Sequence, residues 1–225
     1  MSFIIYFALI IIIPLWAQMR VKSAYKKYSK VSSSSGMNGA QVARKILDDN
    51  GLYHVGIEET PGMLSDHYDP RSKTVRLSSH NYHGDSIAGA AVAAHEVGHA
   101  IQDQQEYAFL RFRHALVPVA NIGSNFSWIL ILIGFLASIS GLVLLGIVFM
   151  AVAVVFQIVT LPVEFDASNR AMNEMVSAGI IRNEEERDTR KVLNAAALTY
   201  VAAALVAVLE LVRLILIYTG MNNED

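Results

Sequence analysis

An uncharged stretch decides the fold: ALVPVANIGSNFSWILILIGFLASISGLVLLGIVFMAVAVVFQIVTLPV, from Ala115 to Val163. Its 49 residues include no Asp, Glu, Lys or Arg. As one helix it would be roughly 70 Å long, more than twice the ~30 Å hydrocarbon core of a bilayer. A buried helix of a soluble protein can be apolar all round, but not over this length. The stretch therefore predicts two membrane-spanning helices, with the turn between them in SISG at Ser138–Gly141.

Two further apolar segments lie outside this hairpin. The segment Phe3–Ala17 is followed at once by a basic cluster, the reverse of the order in a cleavable signal peptide, so it predicts an uncleaved anchor. The segment Val192–Tyr218 carries Glu210 and Arg213, which are three residues apart and share a helix face. We expect these two side chains to pair and so relieve each other's burial, with a polar path as the alternative.

The distribution of basic residues predicts the orientation. Every Lys and Arg except Arg213 falls between the anchor and the hairpin or between the hairpin and the last span, and the tail is acidic. Because cytoplasmic loops are rich in Lys and Arg, we expect a multi-pass cell-membrane protein with both termini outside. The predicted segments are an anchor at 3–17, a cytoplasmic portion at 18–114, a hairpin at 115–163, a cytoplasmic helix at 164–191, a last span at 192–218 and a tail at 219–225.

Composition limits the partners and the metal ligands. The chain has 53% hydrophobic and 17% charged residues, which is too apolar for one soluble domain. We expect the lipid bilayer as a partner and no nucleic acid, and the sequence does not indicate an oligomeric state. There is no cysteine, so any zinc must be bound by histidine and carboxylate side chains.

The first cytoplasmic portion contains strand and helix signals. YHVGIEE at Tyr53–Glu59 and KTVRLS at Lys73–Ser78 are strand-like, and the turn signal DPRS precedes the second. We expect a two- or three-stranded antiparallel sheet, whose edge strand either holds an extended peptide or is only structural. GDSIAGAAVAAHEVGHAIQDQ then predicts a helix of small residues, with Asp85 or Ser86 as its N-cap.

The motif HEVGH lies on this predicted helix. His95 and His99 are four residues apart, so both imidazoles project from one face and can reach one Zn²⁺ at ~2.0–2.1 Å. Glu96 lies roughly 100° around the helix, where it can accept a proton from a water at the metal but cannot comfortably bind the same ion. The spacing predicts two zinc ligands and one general base, with metal-free histidines as the alternative.

A catalytic zinc usually takes three protein ligands. Glu164 is the predicted third ligand, because it is the first charge after the hairpin returns the chain to the same membrane face; an ordinary interfacial carboxylate is the alternative. Asp166 is the next candidate, as a ligand or as an acceptor that orients a histidine. Other candidates, for an oxyanion contact or in place of Glu164, are His67, His80 and His83, with Tyr68 as a further oxyanion donor.

These motifs carry a family resemblance. HEVGH, an uncharged hairpin and then EFDAS resemble the membrane-embedded gluzincin proteases, which include the heat-shock membrane protease and the CAAX prenyl protease. LSDHYDPRSKTVRLSS, AAHEVGHAIQ, LPVEFDASNRA and VLNAAALTYVAAAL more closely resemble the bacterial membrane-bound neutral zinc metallopeptidases, over about residues 39–206. The sequence thus predicts a mainly α membrane protein of about four spans with a small α+β cytoplasmic portion, zincin-like by this resemblance, that carries the HEVGH helix.

The resemblance also implies residue roles. It assigns Zn²⁺ to His95, His99 and Glu164, and the general base to Glu96. The wider gluzincin pattern has an Asp four residues after the ligand Glu, where this chain has Ser168.

Three functions are compatible with the sequence. The first is a zinc endopeptidase that cleaves a peptide or membrane-protein substrate at the cytoplasmic membrane surface. The second is a non-catalytic zinc-binding membrane scaffold or regulator, which would have no use for a base at Glu96. The third is a small transporter built around Glu210 and Arg213, against which stands the lack of a broken-helix repeat.

Overall fold

A computed structural model describes residues 3–221 of the chain, and this part is mainly helical. In chain order the elements are α1 (Phe3–Tyr28), α2 (Gly39–Asp49), β1 (Gly56–Thr60), β2 (His67–Asp69), β3 (Thr74–Ser78), α3 (Ser79–His83), α4 (Ile87–Gln104), α5 (Ala108–Leu136), α6 (Ser140–Ser177) and α7 (Asn183–Met221).

The chain forms two compact units. The unit that we call the hairpin unit comprises Met1–Trp16, Ala108–Pro162 and Tyr200–Asp225. The unit that we call the sheet unit comprises Ala17–Tyr107 and Val163–Thr199.

Four of the described helices, α1, α5, α6 and α7, are long and apolar enough to cross a bilayer. The expectation of about four such helices is therefore confirmed by length and composition. The turn predicted in SISG is also present, because α5 ends at Leu136 and α6 begins at Ser140. Ser138 between them adopts a left-handed backbone conformation with φ of 55°.

The hairpin unit contains the predicted pair of charged side chains. Arg213 Nη2 donates a hydrogen bond to Glu210 Oε1 over 2.7 Å, and the Arg213 guanidinium lies 4.7 Å from the centre of the Tyr6 ring. Because the two side chains neutralise each other, the free-energy cost of placing two charges in an apolar segment is lower. The expected pairing is confirmed.

In the sheet unit, β3 is the central strand of a three-stranded sheet with the order β1-β3-β2. β2 pairs with β3 in antiparallel fashion, but β1 runs parallel to β3, so the expectation of an all-antiparallel sheet is wrong. The reason is that β2 and β3 form the hairpin and β3 inserts between β2 and β1. This order leaves β2 as an edge strand.

Helix α4 lies at the centre of the packing in the sheet unit. The Ser86 side chain accepts a hydrogen bond from the Gly89 N–H and caps the helix, one of the two predicted caps. The small residues of α4 are almost fully buried against α2, the sheet and the second half of α6. The core residues from α4 are Ala88, Ala90, Ala91, Ala93, Ala94, Val97, Ala100 and Ile101.

Helix α6 continues through Pro162 without interruption. The residues that follow Pro162 therefore belong to the same helix as the second arm of the hairpin. Ala167, Ala171 and Met175 are 0 to 1% exposed, and the last two join the core that contains α4. This packing brings one face of α6 against the helix that carries HEVGH.

Candidate metal centre

The structure brings together three of the predicted site residues. His95 and His99 on α4 and Glu164 on α6 each offer a ligand atom, and these atoms lie within 4.8 Å of one another. His95 Nε2 is 3.3 Å and His99 Nε2 is 3.6 Å from Glu164 Oε2. The two imidazole rings are almost perpendicular, with an interplanar angle of 85°.

These distances fit a zinc ion. Two ligand atoms about 2.05 Å from a tetrahedral zinc are about 3.3 Å apart, close to the spacing of each imidazole nitrogen from the carboxylate oxygen. Two imidazoles and a carboxylate are also a common donor set for catalytic zinc. Glu164 is only 2% exposed, and a carboxylate that is this deeply buried needs a compensating positive charge.

Close contact between α4 and α6 brings the carboxylate to the imidazoles. A Cβ atom at Gly98 would lie 2.6 Å from the backbone oxygen of Ala167, so only glycine fits at that point of HEVGH. Ala167 is three residues after Glu164 and is fully buried. Gly98, the second variable position of the motif, thus sets the separation of α4 and α6 at this point.

Replacing Gly98 by Ala is therefore expected to push α6 away from α4. We expect the free energy of unfolding to fall by about 1–3 kcal/mol, the usual cost of overpacking. The affinity for zinc should fall as well. Thermal unfolding and a zinc titration measure the two effects. Gly141→Ala is the matched control, since a Cβ there meets nothing within 4 Å. Equal zinc affinity in Gly98→Ala and the parent protein would contradict the close-contact argument.

Gln102, which was not among the predicted site residues, links α4 and α6. Its Nε2 donates to the Val163 carbonyl and to Asp166 Oδ2, both at 2.8 Å, and its side chain is fully buried. Both of these partners are acceptors, so the remaining amide atom, 3.0 Å from His99 Nδ1, must be the oxygen. An amide oxygen only accepts, which places the proton of a neutral His99 on Nδ1. Nε2, the nitrogen that faces Glu164, is then left with the lone pair that a metal needs.

Replacing Gln102 by Leu should weaken zinc binding about 10- to 100-fold, as is usual when an outer partner of a metal ligand is lost. The variant loses the acceptor that orients His99 and the donor that holds the backbone next to Glu164. Competition with a chelator of known affinity measures the change. Gln104→Leu makes the same substitution at an exposed position of α4 and should leave the affinity unchanged. Unchanged affinity in both variants would remove Gln102 from the site.

Two more side chains are connected to the two histidines. Ser168 Oγ lies 3.2 Å from His95 Nδ1, so the serine at the position of the gluzincin aspartate contacts the first histidine directly. Asp166 lies outside the group of three, although it was a candidate ligand. It accepts from Gln102 and from Arg170 Nε, and so acts on His99 only through the Gln102 amide.

Glu96 is held by the edge strand. It is 9% exposed, and its Oε2 accepts a hydrogen bond of 3.0 Å from the backbone N–H of Tyr68 in β2. Since this N–H donates to α4 and not to β3, the outer edge of β2 faces the helix that carries the motif. The edge strand and the predicted base are therefore neighbours.

The group of His95, His99 and Glu164 favours the binding of positive charge. Burial works against protonation of His99, but hydrogen bonding to Glu164 and the negative charge of Glu96 outweigh it and raise the pKa of the imidazole. The same negative potential attracts a divalent cation, which displaces the proton because a ligand histidine must be neutral.

The side chains of the remaining candidates make contacts outside the group of His95, His99 and Glu164. The Tyr68 hydroxyl donates to Asp103 Oδ2 over 2.7 Å, and burial and this bond raise its pKa. His67 Nδ1 is 2.8 Å from the Ser65 carbonyl. The rings of His80 and His83 contact Tyr25 and Tyr82 respectively, and His83 Nε2 is 3.1 Å from Glu59.

Comparison with known proteins adds two findings. A family model described as "Putative neutral zinc metallopeptidase" matches residues 3–219, which include every residue of the group. Over 210 residues the chain is 52% identical to a protein of Bacillus subtilis (strain 168) named "Putative membrane protease YugP", and the match covers 93% of each chain. No solved structure matches the chain.

Proposed function

Since the chain belongs to this neutral zinc metallopeptidase family, we propose that it is a membrane-embedded zinc endopeptidase. The observation that carries the proposal is the meeting of His95, His99 and Glu164 from two helices at the spacing of zinc ligands. These three residues hold the metal, and Glu96 acts as the general base.

A zinc ion bound there supplies a Lewis acid that polarises a peptide carbonyl and makes a water molecule acidic enough to be deprotonated near neutral pH. The side chains do the remaining work. Glu164 and the two imidazoles keep the ion on one side of α4, and the Gln102 amide keeps the His99 lone pair directed at it.

Glu96 moves the proton. It takes a proton from the attacking water onto its carboxylate and returns it to the nitrogen of the leaving amine, which a neutral peptide fragment requires. The hydrogen bond from the Tyr68 N–H holds the carboxylate at the edge of the sheet, so the base is fixed before substrate arrives. A non-catalytic zinc scaffold would not require a carboxylate in this place.

The edge strand β2 is suited to hold the substrate. An extended peptide at its outer edge runs past Glu96 and donates to the Tyr68 carbonyl, because the Tyr68 N–H already binds Glu96 and both groups of one residue point to the same side in an antiparallel pair. Such binding recognises the main chain of the substrate and requires a locally unfolded substrate segment. Tails and loops of membrane proteins meet this requirement.

We place the catalytic portion on the cytoplasmic side of the cell membrane. The four apolar helices and the membrane protease relative support a multi-pass membrane protein. The concentration of Lys and Arg in 18–114 and 164–191 supports the cytoplasmic side for those segments.

Removal of the metal tests the activity. The full chain in lipid nanodiscs should cleave unfolded protein substrates, lose this activity with a zinc chelator and regain it with Zn²⁺ but not with Mg²⁺, which prefers an all-oxygen octahedral site. Mass spectrometry of the products measures cleavage. Cleavage that persists in protein shown to be free of zinc would contradict the proposal. Zinc-loaded protein that cleaves no unfolded substrate would favour the scaffold function.

A further inference from the structure

The sheet unit also contains a cavity apart from His95, His99, Glu164 and Glu96. An open cavity of about 910 Å³ is lined by the end of α1, the loop after β1 and the start of α3. Its volume lies within the range of ~300–1,000 Å³ that is usual for small-molecule sites. None of the metal-site residues lines it.

One wall of the cavity is cationic. Lys22, Tyr25 and Lys26 line it, and they share one face of α1 at the spacing i, i+3 and i+4. Tyr25 is buried and its hydroxyl donates to Asn81, so its ring is fixed beside the two lysines. His80 lines the cavity from α3, and no acidic residue is among the lining residues.

The opposite wall is apolar and exposed. Met63 and Leu64 line the cavity from the loop after β1, with 79% and 41% of their surface exposed. Leu64 has a positive φ of 57°, which costs energy for a residue with a side chain. Exposed apolar side chains at the rim of a cavity are typical of a ligand or membrane contact.

The position of the lysines along α1 indicates the depth of the ligand. Lys22 and Lys26 come five and nine residues after Ala17, where the apolar stretch ends. At a rise of ~1.5 Å per residue they lie about 7 and 13 Å beyond it along the helix. The polar region of a bilayer leaflet is about 5–7 Å thick, and a lysine side chain can reach back into it.

We propose that this cavity binds an anionic phospholipid. The phosphate lies between the ammonium groups of Lys22 and Lys26, and the glycerol and first acyl carbons lie against Met63 and Leu64. The joined cationic and apolar walls select a ligand that carries both an anion and a hydrocarbon chain. The proposal does not depend on the hydrolytic activity, since it uses no residue of the metal centre.

A lipid bound in this cavity would affect the edge strand β2. The loop that carries Met63 and Leu64 leads directly into β2, whose Tyr68 N–H holds Glu96. A lipid between α1 and this loop would restrain the segment 61–66. Hydrogen exchange of those backbone amides should therefore slow when anionic lipid is present.

Native mass spectrometry of the full chain, titrated with phosphatidylglycerol or phosphatidylcholine, tests the proposal. We expect tighter binding of phosphatidylglycerol, and about thirty-fold weaker binding in the double variant Lys22→Gln/Lys26→Gln, which loses two ammonium groups close to the phosphate. The control Lys27→Gln/Lys30→Gln removes the same charge from residues that do not line the cavity and should change binding less than about threefold.

The other outcomes would overturn the proposal. An equal loss in both double variants would show attraction by general charge and no defined site. Inorganic phosphate that displaces phosphatidylglycerol at equal concentration would show a site for the free anion, with no role for the apolar wall. Slowed exchange at residues 61–66 that persists in Lys22→Gln/Lys26→Gln would place the lipid elsewhere.

Discussion

Replacing Glu96 by Gln is expected to leave zinc bound and to lower the rate of peptide cleavage about 10²–10⁴-fold, the usual contribution of a general base. Glutamine has nearly the same shape but cannot take up a proton from water. Its amide oxygen can still accept the hydrogen bond from the Tyr68 N–H, so the edge strand should keep its place. Single-turnover cleavage of an unfolded substrate and the zinc content of the same sample measure the two effects.

Glu58→Gln is the control for this substitution. Glu58 lies on β1, where it forms an exposed ion pair with Arg76, and the substitution removes the same charge outside the metal centre. Its cleavage rate should match that of the parent protein. Full activity in Glu96→Gln would exclude Glu96 as the base. Loss of zinc in that variant would show that Glu96 acts as a ligand.

Replacing Glu164 by Ala is expected to remove most of the zinc and all measurable cleavage. Two imidazoles on one helix remain, but the third donor and its negative charge are lost, so the affinity should fall by more than the 10- to 100-fold typical of an outer partner. Zinc affinity measured by competition with a chelator tests this directly. The loss of zinc affinity should be the same at high protein concentration, since it reflects a missing ligand.

The control for Glu164 lies on the same helix. Glu174 in α6 accepts a hydrogen bond from Asn50 Nδ2, and Glu174→Ala should cost some stability without changing zinc affinity. Both variants lose one carboxylate from one helix, and only one of them loses a ligand. Equal affinities in the two variants would contradict the assignment of Glu164.

The grouping of His95, His99 and Glu164 could be anticipated from two features of the sequence, the spacing of the histidines and the length of the uncharged stretch. The spacing i, i+4 places both histidines on one face of a helix. The length of the uncharged stretch requires a hairpin that returns the chain to the membrane face from which it left. Glu164, the first charge after that return, was thus expected near the motif.

The features that were missed depend on contacts between distant residues. β2 has only three residues and shows no alternation, and the parallel pairing of β1 follows from the insertion of β3 between two other strands. The donor bonds of Gln102 reach residues 61 and 64 positions away. One signal was available, since Gln102 follows His99 by three residues and so lies on the same face of α4 as the two histidines.

The central claim is that α4 and α6 together hold one zinc ion through two imidazoles and a carboxylate. The most direct test is the zinc content of the purified full chain beside that of His99→Ala, measured on the same preparation by elemental analysis. The account predicts about one zinc per chain in the parent protein and almost none in the variant. Equal zinc in the two proteins would contradict it.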